Sequence, residues 1–519
     1  MHCRSRLELW RRDGYLVHVC RLHVDELSTE EVVVLILIAL HIAASILLSA
    51  FGLHRLYLAR EYRRIKRRVE RNVPGAPQRW LSVTVQLPLY NERYVAERAI
   101  RAVAALEYPR DLLEIQVLDD STDETSELVA RVVGELTDRG IRIHHIQREA
   151  RTGYKAGALA EGLSRASGEL IAIFDADFVP HADFLLRVVG EFDSAGVGMV
   201  QARWSHINES HSLLTRAQAL QLDAHFTLEH GVREAKGFFF NFNGTAGIWR
   251  KQTIRDAGGW QADTLTEDLD LSYRAQLKGW RFVYRDDVAV PAELPVEIAA
   301  YRQQQQRWAQ GGAQSARKLL PAIMRAELPR AVKREAAWHL LTHFAYPLLA
   351  LVTLAGLAVG FTAESLAARW VLAVDGSLLT FAMGSLAYFY GVTAEARGGR
   401  WRRRLLLVPL IMIIGAGIAL SQTLAVIRGL SGRRTPFLRT PKYDIAAASD
   451  QSWRNAAYRL PVAGPAVVEF LAGLAFLAAG ALGAARSDLP PSGLVLLFGV
   501  GFIFVSGVSL MQARSRPNR

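Results

Sequence analysis

Apolar residues follow two different patterns along this chain. Long runs with few charges cover 32–53, 340–361, 370–392, 405–427, 461–485 and 493–511. Between the first two runs, from about residue 80 to residue 308, short β-rich runs alternate with helical stretches. Because a helix needs about 20 apolar residues to span a bilayer, the long runs predict membrane helices and the alternating block predicts a soluble domain.

The alternating block has the periodicity of an α/β domain. Strands are predicted at 82–87, 113–118, 141–146 and 170–174, and helices at 95–105, 124–138 and 155–166. Strand-helix alternation favours a doubly wound, mostly parallel sheet. The predicted fold class is therefore an α/β domain joined to an α-helical transmembrane bundle.

The predicted organisation has five parts. They are an N-terminal extension (1–31), a transmembrane helix (32–53), the soluble domain (80–311), an amphipathic helix in the membrane interface (312–335) and a transmembrane region (340–511) with a cytosolic loop at 428–455. The first apolar run is followed by basic residues, not by a small-residue cleavage site, which argues against a signal peptide.

The net charge of +12 is concentrated beside the membrane runs. Lys and Arg cluster at 60–71, 397–404 and 428–442, which is the positive-inside pattern of a membrane protein and not the pattern of a nucleic-acid-binding protein. The soluble domain is therefore predicted in the cytosol. Only Cys3 and Cys20 occur, so neither a disulfide framework nor a Cys-ligated metal site is predicted there.

The run at 405–427 creates a conflict in the membrane topology. If it crosses, the basic stretches on its two sides lie on opposite faces of the membrane, although both are predicted to be cytosolic. Pro409, Gly415 and Gly417 interrupt the run. We therefore predict five true spans, with this run lying in the inner interface or re-entering it, and six spans as the alternative.

Two carboxylates follow the predicted strand at 170–174. Ligands bind at the carboxyl ends of strands in open α/β sheets, and Asp175 and Asp177 flank a single residue there. Both carboxyls can reach one divalent cation, which would stabilise a departing diphosphate and orient a nucleotide-sugar donor. The alternative is a helix N-cap or an Asx turn.

Other candidates for donor binding lie in the same half of the domain. Asp119 and Asp120 end the strand at 113–118, where they can accept hydrogen bonds from a base or ribose, or else cap the helix that follows. Lys155 lies at a predicted helix start, a natural place to meet phosphate, although a lone Lys is usually just a surface charge.

Asp268 is the candidate general base. Transfer of a sugar with inversion needs a group that takes the acceptor hydroxyl proton, and a carboxylate in a closed pocket suits that task. Capping of the helical run at 269–277 is the alternative. Upstream, the small residues of Asn243-Gly244-Thr245-Ala246-Gly247 allow close approach of the backbone to a substrate.

A helical face carries the candidate acceptor site. Gln304, Arg307 and Trp308 are spaced i, i+3, i+4, so that Arg307 can bridge a diphosphate and Trp308 can stack on a sugar ring. The alternative is an interfacial Trp-Arg anchor. Further on, Glu469 lies within an apolar run and should face the bundle interior or a hydrated path; a helix-helix hydrogen bond is the alternative.

Several short motifs occur in one order along residues 80–311. They include Asp119-Asp120-Ser121-Thr122-Asp123, Asp175-Ala176-Asp177, Gln201-Ala202-Arg203-Trp204, Phe242-Asn243-Gly244-Thr245-Ala246-Gly247, Ala257-Gly258-Gly259-Trp260, Thr266-Glu267-Asp268, Lys278-Gly279-Trp280 and Gln304-Gln305-Gln306-Arg307-Trp308. With these motifs the region resembles the GT-A glycosyltransferases of family 2, specifically the cellulose synthase superfamily. It is most similar to the cellulose synthase-like mannan and glucomannan synthases of plants and their bacterial relatives.

The resemblance implies a role for each motif residue. It implies nucleotide binding by Tyr90, Glu92, Asp119 or Asp120, Lys155 and Arg307, Mg²⁺ or Mn²⁺ binding by Asp175 and Asp177, base catalysis by Asp268, and acceptor binding by Glu267, Gln304 and Trp308. Residues 437–442 resemble the gating loop of cellulose synthase through Phe437, Thr440 and Lys442, but Arg439 stands where cellulose synthase has Val.

The function implied by the resemblance is polysaccharide synthesis. The chain is expected to be an inverting, processive β-glycosyltransferase that elongates β-1,4-mannan, glucomannan or β-glucan from GDP-mannose or UDP-glucose. Its expected place is the inner membrane of a bacterium, with the catalytic domain in the cytosol. The alternatives are transfer of a single sugar to a diacylglycerol or ceramide acceptor, and a non-catalytic nucleotide-sugar transporter or receptor; the oligomeric state is left open.

Overall fold

The computed structural model describes residues 11–12, 15–16, 28–67, 77–362, 365–398, 401–432, 435–446, 449–458, 460, 463–487 and 492–514. Its strands are β1 (Arg11–Arg12), β2 (Tyr15–Leu16), β3 (Val83–Leu89), β4 (Leu113–Asp119), β5 (Ile143–Gln147), β6 (Leu170–Ile173), β7 (Val197–His206), β8 (Gly247–Arg250) and β9 (Arg281–Ala292). Except for β1 and β2, which form a separate hairpin, these strands form one sheet in the order β5-β4-β3-β6-β8-β7-β9.

The sheet is parallel apart from β8, which runs antiparallel to β6 and β7. The helices of the soluble domain are α2 (Ala96–Ala104), α3 (Thr125–Asp138), α4 (Tyr154–Arg165), α5 (Phe184–Val188), α6 (Leu213–Ala224), α7 (Gly231–Ala235), α8 (Lys251–Asp256) and α9 (Glu267–Leu277). β6 is apolar and buried along its whole length, and β3 is buried along nearly its whole length, because both faces of a central strand are covered. Val83, Val85 and Leu87 are accordingly inaccessible to solvent.

The predicted fold class is confirmed, and the four predicted strands correspond to β3, β4, β5 and β6. The sequence did not predict β7, β8 and β9, which complete the second half of the sheet. The carboxyl ends of β3, β4 and β6 lie side by side, which brings the loops that follow them to one edge of the sheet.

The remaining helices include the long apolar ones. They are α1 (Thr29–Lys66), α10 (Ile298–Arg325), α11 (Arg330–Leu340), α12 (Ala345–Thr362), α13 (Ser365–Arg397), α14 (Trp401–Leu405), α15 (Val408–Leu430), α16 (Ala463–Ser487) and α17 (Gly493–Arg514). Among the described residues, six helices are long and apolar enough to cross a membrane. By length and composition, α15 belongs to the six.

The predicted interfacial helix at 312–335 differs from the observed helices. α10 begins at Ile298, so it contains the Gln304–Trp308 motif, and it ends at Arg325. Pro329 then precedes a separate helix, α11, because the proline ring disfavours helical conformation in the residue before it. The prediction for 1–31 falls mostly outside the described residues.

Close helix packing joins α15 to its neighbours. A Cβ on Gly417 would lie 2.3 Å from the carbonyl oxygen of Gly501, and one on Gly429 would lie 2.5 Å from the carbonyl oxygen of Gln310. Small residues at such contacts let helix backbones approach closely. α15 is therefore packed against both α17 and α10.

Candidate active site

One cavity lies at the carboxyl edge of the sheet and collects nearly all of the predicted site residues. Its lining includes Tyr90, Glu92, Asp120, Lys155, Asp175, Asp177, Glu267, Asp268, Gln304, Arg307, Trp308, Phe437, Thr440 and Lys442. These side chains come from the ends of β3, β4 and β6, from the starts of α4 and α9, from α10 and from the segment 435–446. Asp119 is not among the lining residues.

Asp119 is buried beneath the loop that follows β4. Its Oδ1 accepts a hydrogen bond from the Ser121 N–H at 2.9 Å, and its Oδ2 contacts His145 Nε2 at 2.9 Å and the Ser126 hydroxyl. Burial raises its pKa, but these hydrogen bonds outweigh burial and lower the pKa to about 2. Asp119 therefore shapes the loop, and of the two aspartates Asp120 is the one that lines the cavity.

Asp120 lines the cavity and is held by a guanidinium. Arg148 donates from Nε to Oδ1 at 2.9 Å and from Nη2 to Oδ2 at 2.6 Å. A bidentate pair of this kind fixes the plane of the carboxylate. Asp120 is thus a pre-oriented acceptor at the cavity edge.

Asp175 and Asp177 each face a lysine across the cavity. Lys155 forms an ion pair with Asp175 and donates to the carbonyl oxygen of Gly244 at 2.9 Å. Lys442 lies 2.6 Å from Asp177 Oδ2. The next helix, α5, begins only at Phe184, so helix capping does not explain these two aspartates.

The chemistry of the Asp175–Asp177 pair fits a divalent cation. Carboxylate oxygens are the ligands that Mg²⁺ and Mn²⁺ prefer, and both side chains reach the same cavity. Within the part of the chain that the structure describes, no group of three or more His, Cys, Asp or Glu residues is arranged to hold a metal. The pair would therefore need further ligands from the oxygens of a bound phosphate and from water.

Asp268 stands in the first turn of α9. Its Oδ1 accepts from the N–H of Leu269 at 2.8 Å, and a Cβ on Gly244 would lie 3.0 Å from its Oδ2. Burial, followed by the charge of Glu267, raises the pKa of Asp268 to about 7. A carboxyl with a pKa near the working pH is suited to accept a proton.

Positive charge balances this acidic cluster. Burial lowers the pKa of Lys155, but Asp175, Glu267 and Asp268 together raise it above its ordinary value, so the amine stays charged. Burial lowers the pKa of Arg307, which also faces these acids.

Arg307 connects α10 to the segment 435–446. Its Nη1 donates to the carbonyl oxygen of Leu438 at 3.0 Å and to Thr440 Oγ1 at 3.3 Å, and its guanidinium lies 4.8 Å from the Phe437 ring centroid. Gln304 and Trp308 line the cavity on the same face of α10. The helix therefore holds the segment over the cavity in addition to forming a wall.

Arg439 has partners that the sequence did not identify. It forms an ion pair of 2.5 Å with Glu92 and lies 4.7 Å from the ring centroid of Tyr458. Burial raises the pKa of Glu92 to about 7, although Arg439 opposes that shift. Sequence reasoning had marked Arg439 only as a departure from the cellulose synthase pattern.

Arg151 is a lining residue that sequence reasoning missed. Its guanidinium lies 3.4 Å from the Tyr90 ring centroid and 5.0 Å from that of Tyr154, and Tyr154 in turn contacts Phe437. The only signal in the sequence is its position just before Lys155. Alternating cationic and aromatic groups of this kind can stack on a flat ring.

Glu469 forms an ion pair with Arg302. Arg302 Nη1, on α10, lies 2.5 Å from Glu469 Oε2 on α16. The pair joins a membrane-type helix to the helix that carries Gln304 and Trp308. Glu469 thus has an ionic partner, as an acidic residue in such a helix requires.

Comparison with known proteins agrees with this geometry. A family model described as "Glycosyltransferase like family 2" matches residues 77–311. Glucomannan 4-beta-mannosyltransferase 1 of Oryza sativa subsp. japonica is 46% identical over 248 residues, which are 47% of this chain and 48% of the relative. Glucomannan 4-beta-mannosyltransferase 2 of Arabidopsis thaliana is 46% identical over 257 residues, which are 49% of this chain and 48% of the relative. The matched region spans about half the length of these relatives.

A solved structure supports the fold. The mannosyltransferase PcManGT from Pyrobaculum calidifontis, determined in complex with GDP-Man and Mn²⁺, superposes with a TM-score of 0.52 at 24% identity, covering 75% of this chain and 99% of that one. At this identity the likeness extends to the fold alone. The family match and the plant relatives agree with the resemblance seen in the motifs: residues 77–311 match the model of glycosyltransferase family 2.

Proposed function

We propose that the protein is a membrane-embedded, inverting, processive β-glycosyltransferase that extends β-1,4-mannan or glucomannan from GDP-mannose. The observation that carries the proposal is the single cavity that joins Asp175 and Asp177 to Asp268 and to the α10 face. Those groups are suited to the donor, to proton transfer and to the acceptor, respectively.

In the proposed reaction the acceptor hydroxyl oxygen bonds to the anomeric carbon of the donor while the bond from that carbon to the phosphate oxygen breaks. Asp268 takes the hydroxyl proton, and the nucleoside diphosphate leaves. A Mg²⁺ or Mn²⁺ ion held by Asp175 and Asp177 would neutralise charge on the departing diphosphate. Lys155 and Arg307 face the same region and would bind phosphate oxygens.

The acceptor would lie along α10, where Trp308 can stack on its terminal sugar and Gln304 and Glu267 can bind hydroxyls. Tyr90 and Asp120 would meet the nucleotide. The names of the plant relatives favour mannose over glucose, so UDP-glucose and a β-glucan product rank second. Those names also give no support to a lipid acceptor or to a non-catalytic transporter.

The decisive experiment uses the full chain in lipid nanodiscs. We expect GDP-mannose consumption in the presence of Mn²⁺ or Mg²⁺, and a product that an endo-β-1,4-mannanase digests. UDP-glucose serves as the comparison donor. Release of mannose without polymer, or use of UDP-glucose alone, would contradict the proposed product or donor.

We further propose that the soluble domain is cytosolic and that α15 does not cross the membrane. Arg404, just before α15, pairs with Asp223 at 3.0 Å, and Arg317 donates to the carbonyl oxygen of Leu430 at the other end at 2.9 Å. One end therefore contacts α6 of the soluble domain, and the other contacts α10, which also lines the cavity. This supports five spans, whereas a bacterial inner membrane has no support from relatives that come from plants.

Cysteine labelling tests this topology directly. Cys3 and Cys20 are the only cysteines, so a cysteine-free background needs two changes. We expect single cysteines at Trp401 and Ser431 to react with an impermeant maleimide from the same side of sealed vesicles, and one at Ala485 to react from the opposite side. Labelling of 401 and 431 from opposite sides would establish six spans.

A further inference from the structure

A π-helix lies directly behind one wall of the cavity. α6 continues without a break into a π-helical segment, His225–His230, which leads into α7. π-helical turns are rare in proteins and occur mostly at functional sites. None of the roles described so far uses this segment, although its residues are buried close to the site.

The π-helix brings two histidines onto one side chain of the cavity wall. His225 Nε2 lies 2.9 Å from Asn243 Nδ2, and His230 Nε2 lies 2.6 Å from Asn243 Oδ1. The two imidazole centroids are 4.4 Å apart. Residues five apart share a face in a π-helix but diverge in an α-helix, so the irregular turn is what allows both rings to reach Asn243.

The hydrogen bonds fix the orientation of the Asn243 amide. Asn243 Nδ2 donates to His225 Nε2, which leaves the proton of this ring on Nδ1, where it donates to Glu229 Oε2 at 2.9 Å. His230 donates from Nε2 to the Asn243 carbonyl oxygen. Turning the amide over would oppose two donors at one ring and two acceptors at the other.

Asn243 stands at the centre of the proposed chemistry. It lines the cavity, and its backbone N–H donates to Gln201 Oε1 at 2.9 Å. The next residue, Gly244, has φ +81°, accepts a hydrogen bond from Lys155 and packs against Asp268 Oδ2. After binding both histidines, the amide retains one N–H and one carbonyl lone pair for a ligand.

We propose that His225 and His230 are positioning residues that hold the Asn243 amide in one fixed orientation, in which its free N–H and carbonyl lone pair bind hydroxyls of the transferred sugar next to Asp268. This inference rests on the proposed function, since it needs a sugar at that place. Displacement of a substrate by about 1 Å can lower turnover by about 10²-fold, so an amide held in a fixed place can have a large effect on turnover.

A chain of ion pairs holds the π-helix in place. Arg233 contacts Glu229 at 3.4 Å and Glu335 at 3.0 Å, and Glu335 contacts His54 of α1 at 2.9 Å. The network ties the segment behind Asn243 to α11 and to a membrane-type helix. The position of His225 and His230, which together we call the clamp on Asn243, is therefore set by the rest of the fold and not by the ligand.

The test compares leucine with glutamine at both histidines in the full-length chain in nanodiscs. Glutamine can place an amide donor or acceptor near the position of imidazole Nε2, whereas leucine cannot. For His225→Leu and His230→Leu we expect kcat for GDP-mannose to fall about 10- to 100-fold with the donor KM changed less than about threefold. His225→Gln and His230→Gln should recover most of the lost kcat.

A second set of variants separates positioning from packing. In an Asn243→Ala background, the leucine variants should cause no further loss of kcat, because the amide that they position is absent. His339→Leu is the matched control: His339 is also buried but contacts the Tyr273 hydroxyl at 2.7 Å, so kcat should stay near the parental value. An equal loss of kcat in the Asn243→Ala background would overturn the proposal.

The outcomes distinguish this inference from the function on which it rests. A parent chain that consumes neither GDP-mannose nor UDP-glucose contradicts both. An active parent with active leucine variants contradicts the clamp alone. If the leucine variants give no folded protein, Asn243→Ser decides, because it removes the amide and leaves both histidines in the chain; parental kcat in that variant would overturn the inference.

Discussion

The two walls of the cavity differ in charge and in the way they are held. The acidic wall belongs to the soluble domain: Asp175 and Asp177 follow the buried strand β6, and Asp268 lies in the first turn of α9. The basic wall consists of Arg307 on α10 and of Lys442 on the irregular segment 435–446. The acids are thus positioned by regular structure, whereas part of the basic wall is not.

The basic segment is held largely by the acids themselves. Lys442 contacts Asp177, Arg439 contacts Glu92, and Glu293 accepts from the backbone N–H of Tyr443 at 2.9 Å. A cation or a diphosphate that enters the cavity would compete for these same groups. We therefore expect donor binding to be coupled to the position of segment 435–446, and changes on the two walls to have different consequences.

The largest effect on the acidic wall is expected from removing the divalent cation that Asp175 and Asp177 are proposed to bind. If Asp175 and Asp177 supply the protein ligands, EDTA should abolish turnover, and Asp177→Ala should weaken metal-dependent donor binding itself. Turnover and equilibrium binding of GDP-mannose with and without Mn²⁺ measure the two effects. Full activity in EDTA would exclude a metal from the reaction.

The next largest effect concerns the same wall but not donor binding. Asp268→Asn keeps the shape of the side chain and removes its basicity, so kcat should fall by about 10²-fold or more while the donor Kd stays within about threefold of the parent. Asp177→Ala is the matched comparison, since it should change Kd. Near-normal turnover in Asp268→Asn would disprove the assignment of the base.

The acidic wall was predicted from the pattern of strands, whereas Lys442 of the basic wall was predicted only from the resemblance to the gating loop. The apolar runs that form β4 and β6 indicate where buried strands end, which located Asp120, Asp175 and Asp177. The sequence could not separate Asp119 from Asp120, because the contact of Asp119 with His145 depends on the neighbouring strand β5. Strand neighbours and register are not encoded in a short motif.

The ion pairs between the basic wall and distant acids could not be predicted from the sequence for a similar reason. Lys442 and Asp177 are separated by 265 positions, and no local pattern relates them. The π-helix at His225–His230 was also invisible, because a single wide turn does not change the hydrophobic period of a helix enough to be seen. Both features follow from tertiary packing.

The pH dependence sharpens the role of the acidic wall. A base acts in its deprotonated form, and the pKa of Asp268 is raised to about 7, so kcat/KM should fall about tenfold per pH unit below about pH 7 and level off above it. The pKa of Glu92 is also raised to about 7, so Glu92→Gln is the control. This variant should keep the same fall of kcat/KM below pH 7. If the fall of kcat/KM below pH 7 persists in Asp268→Asn, the titrating group is a residue other than Asp268.

Trp308 tests the part of the cavity formed by α10. If its ring stacks on the acceptor terminus, Trp308→Ala should shorten the products several-fold or leave only donor hydrolysis, with donor binding little changed. Trp308→Phe retains an aromatic face and serves as the control. Chain length is read from the size distribution of the polymer, and unchanged products would favour a membrane anchor.

The smallest effect is expected where the basic wall meets the acidic one at Arg439. Arg439→Val removes the guanidinium that joins Glu92 to Tyr458, and Glu92 then loses its cationic partner. A buried carboxyl without a partner tends to stay neutral, which further weakens its attraction for the segment. We expect faster amide hydrogen exchange at 435–446 in the absence of donor and a donor KM raised by about two- to fivefold.

The control for that variant is Arg439→Lys, which keeps the charge toward Glu92 but loses the planar stacking on Tyr458. It should lie between the parent and the valine variant in exchange rate. Saturating GDP-mannose and Mn²⁺ should bring all three proteins to similar protection at 435–446, because Arg307 and Lys442 can then hold the segment through the diphosphate. Unchanged exchange in Arg439→Val without donor would mean that the contacts of Tyr443 and Arg307 suffice to hold the basic wall, and that its position is independent of the acid at Glu92.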